Sequence, residues 1–250
     1  MHRTHPGRPA LRRSAITCTL VALLATAALT TGAHGAPAAH AAAGATVTVR
    51  IEGTSKTLLP PTSVTLGSAA VDKDGVAADA CKGSSAAGAL QLASRGDWNG
   101  SFSKSLGGYL VSSIDGLTFP STGARYWAFW INDAPASQGV CGITPASGDS
   151  ILFFPDCYGK KCPPNDGVLG VKAPATARAG HPVTVTVTAY SESKGTPTQK
   201  AGATVSGDGV SAKTSAGGTA RLTFTKPGRF LLQVRAPHTV RTETRVSVQT

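Results

Sequence analysis

Aromatic side chains are missing from the N-terminal third: all 14 lie at Trp98 or beyond. Charged residues are scarce, 15% against roughly 25% in average usage, which argues against a coiled coil or a helical repeat array. Histidine is scarcer still. Beyond residue 41 only His181 and His238 remain, so residues 42–166 hold no partner for a Ser/Cys–His nucleophile. After the N-terminal apolar run, no second run is long enough to cross a bilayer, against a polytopic membrane protein. What is plentiful is glycine, 29, and proline, 16: too many for a helical bundle, below the low-complexity range. The 250 residues suit one large or two ordinary domains.

Residues 1–14 carry Arg3, Arg8, Arg12 and Arg13 and no acid, and an apolar run follows from Ala15 to Leu29. Small residues then lead to Ala39-His40-Ala41. This is the three-part layout of a secretory signal peptide over residues 1–41, with cleavage after Ala41 or the nearby Ala38. The run falls short of the ~20 residues a membrane span needs. Membrane contact is therefore expected only through this segment before cleavage, and the mature chain is expected outside the cell.

Four cysteines remain after cleavage: Cys81, Cys141, Cys157 and Cys162. An even number in an exported chain implies disulfides. Three pairings are possible; we favour Cys157–Cys162, closing a tight loop, with Cys81–Cys141 as the long bridge. No Cys-x-x-Cys pair and no nearby histidine supports a metal site. Asp72-Lys73-Asp74-Gly75 lacks the full calcium-loop spacing and reads as a charged surface loop. The acids are scattered singly, against a paired-carboxylate hydrolase. We expect no enzyme activity, no cofactor and no metal.

Charge divides the mature chain. Residues 42–166 carry a net charge of −1 and residues 167–250 a net +8. Pro163-Pro164-Asn165-Asp166-Gly167 has the composition of a linker, so domains are expected over 42–162 and 168–250. In the first, Val47, Val49 and Ile51 alternate with Thr48, Arg50 and Glu52, a half-buried strand. Pro60-Pro61 marks a turn, 84–94 a helix, and Gly108–Ser113, Tyr126–Asn132 and Ile151–Phe154 strands. In the second, Val183, Val185, Val187 and Ala189 alternate with threonines, and further alternating runs follow between glycine-rich turns, the pattern of a β-sandwich.

The second region resembles bacterial immunoglobulin-like surface modules in Lys200–Val205, Gly217-Gly218-Thr219-Ala220 and Lys226–Phe230. That implies a sandwich of seven strands without catalysis. Some relatives carry Lys–Asn crosslinks; with no asparagine from residue 168 onward, this chain excludes one. The first region resembles a secreted actinobacterial domain of unknown function, itself similar to the C-terminal domain of transcobalamin and intrinsic factor. The residues that carry this are Val47–Gly53, Tyr126–Asn132, Gly139-Val140-Cys141 and Gly148–Phe154. It implies a small β-grasp-like α+β domain, so the chain as a whole is expected to be mainly β.

Two surfaces are candidates for binding. Tyr126, Ala128, Trp130 and Asn132 share one face of the aromatic strand, and Tyr126, Trp130 and Asn132 could present a stacking surface to a small ligand, a corrinoid or another ring compound. Arg229, Arg235, Arg241 and Arg245 are expected to point outward from two neighbouring strands, a patch for an anionic cell-wall polymer. No aromatics interleave it, against specific nucleic-acid binding. The function expected is a non-catalytic binding or structural role at the cell surface.

Overall fold

The computed structural model describes residues 44–250 except 121, 122, 161 and 164. The expected signal peptide, residues 1–41, lies outside the described residues. The described chain is mainly β, as its alternating sequence requires.

The N-terminal half is built on a mixed five-stranded sheet. β1 (Thr46–Glu52) pairs antiparallel with β2 (Thr57–Thr65). A small three-stranded sheet follows: β3 (Trp98–Ser103), β4 (Gly108–Ile114) and β5 (Leu117–Thr118). β6 (Arg125–Ile131), β7 (Ala134–Pro135) and β8 (Ser150–Cys157) return to the large sheet, whose order is β2-β1-β8-β6-β7, with β1 and β8 parallel. β2 runs straight through Pro60-Pro61, where the sequence suggested a turn. Its register shifts there, with Val49 opposite Thr62 and Ile51 opposite Leu59. An edge strand with a bulge tolerates the missing amide protons.

The helix α1 (Ala86–Ala93) covers one face of this sheet. Ser85 caps it by accepting the Gly88 amide at 3.4 Å. A Cβ on Gly88 would collide with the Gly83 carbonyl, so glycine lets the helix sit against its own lead-in turn. Under the helix lie Val47, Val49, Ile51, Ile151 and Phe153, together with Trp127 from β6. Trp98 is buried beside them, its indole N–H donating to Gln91 Oε1 at 2.8 Å.

The C-terminal half is a β-sandwich. β9 (Val168–Lys172), β11 (Pro182–Tyr190), β12 (Pro197–Gln199) and β15 (Thr219–Thr223) make one sheet. β10 (Thr176–Arg178), β13 (Thr204–Gly207), β14 (Val210–Lys213), β16 (Gly228–Arg235) and β17 (Thr242–Gln249) make the other. The valines of β11 meet Leu232, Val234, Val246 and Val248 between the sheets, and Phe224 stacks on Phe230 at 4.4 Å. The nine strands exceed the seven implied by the resemblance.

The second face of the large N-terminal sheet turns toward the sandwich. Trp130, Leu152 and Phe154 pack on Val168, with Tyr190 and Val240 against them, as a small third core. The linker is fastened too: Asn165 Nδ2 donates to Asp156 Oδ1 at 3.1 Å, and Lys200 lies 3.6 Å from Asp166.

Candidate functional site

β6 carries the expected aromatic surface, and its faces are unequal. Phe129 stacks on Phe153 at 5.5 Å, and Trp127 packs on Phe119 at 5.6 Å, both toward the helix-covered core. On the opposite face Trp130 is only 3% exposed, edge-on to Phe154 at 5.8 Å. The sandwich occupies the place where an open stacking surface was expected, so Trp130 is an interface residue. Asn132 also serves structure. Asn132 and Asp133 both adopt positive φ, 50° and 63°, the I′ turn that joins β6 to β7. The Asn132 amide donates to Asp149 Oδ1 at 2.7 Å, and its Oδ1 accepts the Ser150 amide at 2.9 Å. Both ends of the side chain are thus committed to the Gly148-Asp149 turn.

Of the three, Tyr126 and Asn132 stay exposed, but only Tyr126, at 39%, presents a ring there, 6.0 Å from that of Tyr158. Its hydroxyl donates to Asp156 Oδ2 at 3.1 Å. Burial, then the Asp156 carboxylate, push the phenol up to about 12.

A cleft of about 530 Å³ runs along β6 beside Tyr126. β7 pairs only with Trp130 and Ile131, so the earlier part of the β6 edge borders this space. Leu106, Tyr109, Leu110 and Val111 form one wall, and the 135–140 loop another. Asp156 and Glu192 stand at the rim. Burial, then Asp156, raise the Glu192 carboxyl above its usual range. The back of the cleft is tightly joined: a Cβ on Gly139 would lie 2.8 Å from the Leu106 carbonyl oxygen. Close by, Cys141 is bonded to Cys81, with Cα atoms 5.0 Å apart. Cys157 pairs with Cys162, so both favoured disulfides form. The sequence missed the leucines of this wall because nothing in their spacing distinguishes an exposed leucine from a core one.

At the other end of the interdomain face lies an ionic cluster. Glu52 is 1% exposed and accepts from Arg50 Nη1 at 2.9 Å, Arg241 Nη1 at 3.2 Å and Thr57 Oγ1 at 2.9 Å. Arg50 Nη1 also donates to the Arg241 carbonyl at 2.6 Å, and Arg241 Nη2 to that of Thr54 at 2.9 Å. Burial lowers the Arg50 guanidinium and raises the Glu52 carboxyl, each opposed by the attraction between them. Arg241 therefore does not point outward, because it is the cation the buried Glu52 needs. The expected patch shrinks to Arg229, Arg235 and Arg245, which are exposed. The register sets Arg229 opposite Ser247 and Leu231 opposite Arg245, so Arg229 and Arg245 are diagonal neighbours.

The acidic loop at Asp72 is self-contained: Asp72 Oδ1 accepts the Gly75 and Asp74 amides at 2.8 and 3.1 Å. Those amides hold its carboxyl below the usual range, Gly75 first. Among the described residues no group of three or more His, Cys, Asp or Glu is placed to hold a metal ion.

The family model of a domain of unknown function (DUF4430) matches residues 83–154, the span that includes α1, β6 and most of β8. Two solved structures are similar to parts of the chain. One is described as a "putative metal binding protein" from Ruminococcus gnavus ATCC 29149; it is 12% identical with a TM-score of 0.33, over 46% of this chain and 99% of that one. The other is the D00-D0 domain of Intimin, 17% identical with a TM-score of 0.25, over 55% of this chain and 91% of that one. No curated protein matches the chain.

Proposed function

We propose that this chain is an exported, extracellular binding protein without catalytic activity, and that its ligand lies in the cleft beside β6. One observation carries this reading. Seven large hydrophobics remain exposed among the described residues; Leu106, Leu110 and Tyr126 line the cleft, and Tyr158 stands against Tyr126. Apolar side chains gathered in a concave surface mark a binding site far better than the same residues scattered singly. The walls are largely aliphatic and aromatic with Ser105, Ser137 and Gln138 among them, and the two carboxylates, Asp156 and Glu192, are close enough to interact. That arrangement suits a flat ring compound with hydrogen-bonding groups on one edge. A corrinoid is one such ligand, in keeping with the resemblance of Tyr126–Asn132 and Gly148–Phe154 to the transcobalamin C-terminal domain. The charged start and apolar run of residues 1–41 support export, as do the two disulfides.

The test is a titration of the exported chain with cobalamins and other ring compounds, read by tryptophan fluorescence, since Trp127 lines the cleft. A saturable change that is lost in Leu110→Asp, with the melting transition intact, is the expected result. Silence across the panel, or binding that ignores Leu110→Asp, overturns this site. The three outward arginines support an anionic wall polymer as the surface partner. Retention on cells should then weaken with salt and vanish when Arg229, Arg235 and Arg245 are neutralised together. Retention unchanged by that triple substitution rules the patch out.

A further inference from the structure

A second cavity of about 370 Å³, with more charged residues in its lining, lies between the large N-terminal sheet and the β9–β11 side of the sandwich. Its chemistry differs from that of the cleft beside β6. Arg50 and Lys172 lie in its lining with Asp133 and Glu243, so the formal charges balance. Four threonines add hydroxyl groups. Glu243 is only 6% exposed and its carboxylate has no hydrogen bond or ion pair with the protein among the described residues, yet no fully buried side-chain oxygen there lacks a partner, so its oxygens reach the open space of the cavity. A carboxylate so placed is free to accept hydrogen bonds from a molecule that enters the cavity. Arg50 is in a similar position. Both of its hydrogen bonds leave through Nη1, so among the described residues the other guanidinium N–H groups have no protein acceptor.

The aromatic wall of this cavity is Tyr190. A Cβ on Gly170 would sit 2.6 Å from Tyr190 Cε2, so glycine at this position is what lets the ring lie across β9. The Asp133 carboxylate is near the Tyr190 hydroxyl, which burial and that charge hold above its usual value. The lining thus combines a ring, two carboxylates, a guanidinium with free donors and several hydroxyls, with no excess charge. With two cations and two anions in the lining, neither sign of charge on a ligand is favoured. A neutral molecule rich in hydroxyls satisfies both, because each hydroxyl can donate to a carboxylate and accept from a guanidinium. Its C–H face can rest on the tyrosine ring.

We infer that this interdomain cavity is a binding site for a neutral mono- or disaccharide unit, with Glu243 and Arg50 as its polar anchors and Tyr190 as its platform. The volume falls in the range of small-ligand sites, and the junction of two domains is where such sites concentrate. The site is separate from the cleft beside β6 and stands or falls independently of it.

The experiment is calorimetric titration of the exported chain with glucose, galactose, mannose, N-acetylglucosamine, maltose and cellobiose at millimolar concentration. At least one should bind saturably. Glu243→Gln should weaken that binding at least tenfold, since the carboxylate is lost without a change of shape. Thr188→Leu, which puts a larger side chain without a hydroxyl into the cavity, should abolish it while leaving the melting transition in place. The inference is overturned if no sugar binds, in which case the cavity holds water alone. It is equally overturned if a sugar binds with the same affinity in both variants.

Discussion

The two faces of the large N-terminal sheet are buried for different reasons. Toward the helix, Val47, Val49, Ile51, Ile151 and Phe153 are apolar without exception, and any cover at all would favour them. Toward the sandwich the same strands present Thr48, Arg50, Glu52, Leu152 and Phe154. That face is buried only because the sandwich brings Val168 to the apolar end and Arg241 to the ionic end. One face is a core that the N-terminal half makes alone. The other depends on a partner of matching charge, and a mismatch there would leave Glu52 buried and unpaired. Ionic contacts of this kind add little net stability over apolar ones, but losing one partner is strongly destabilising because the other charge is left buried.

The largest effects should separate the two faces by rescue rather than by size. Phe153→Ala, at a site with no exposure, should cost about 3–5 kcal/mol in chemical denaturation. Glu52→Ala should cost a comparable ~3–5 kcal/mol, since two largely buried guanidinium groups lose their shared carboxylate. The contrast appears when the neighbours are replaced as well. Arg50→Met, Glu52→Leu and Arg241→Met together should return stability to within about 1 kcal/mol of the original. No change of neighbouring apolar residues should recover Phe153→Ala so fully. A triple variant as unstable as Glu52→Ala would show that the bonds from Arg241 to Thr54 and from Arg50 to Arg241 matter more than the charges.

The same contrast explains how much of the molecule could be read from its sequence. The helix-facing residues of β1 and the core-facing residues of β11 announce themselves by alternation, because burial there follows from side-chain chemistry alone. The β-sandwich, the helix at 84–94 and both disulfides were legible on similar grounds. The sandwich-facing residues were not. Thr48, Arg50 and Glu52 read as a solvent face, and Arg241 as a surface cation, since periodicity shows which residues share a side but not what covers it. Trp130 was misread as open for the same reason. Pro60-Pro61 misled because an edge strand can do without amide protons that a central strand needs. The candidate saccharide site was least legible of all. Arg50, Asp133, Tyr190 and Glu243 are spread over nearly the whole mature chain, and only the docking of the two halves assembles them.

The smallest effect tests where the sandwich-facing side of the sheet meets solvent. Tyr126 is on that face, yet 39% exposed, and its phenol is held at about 12 by partial burial and by Asp156. In the unfolded chain a tyrosine titrates near 10. Between roughly pH 10 and 12 the folded protein therefore keeps a proton that the unfolded chain has lost. The stability this provides is fully present below about pH 10 and disappears as the pH rises through about 12. Tyr126→Phe should flatten that alkaline loss while costing no more than about 1 kcal/mol at neutral pH, the value of one partly solvated hydrogen bond. Tyrosinate absorbance checks it directly: the variant should lack a tyrosine that ionises near pH 12 in the original. Asp156→Asn should bring that ionisation down toward the ordinary value near 10 by removing the negative charge, with burial still holding it above. If Asp156→Asn leaves it in place, burial alone holds the proton, and this edge of the face belongs with the apolar core rather than with the charge-matched interface.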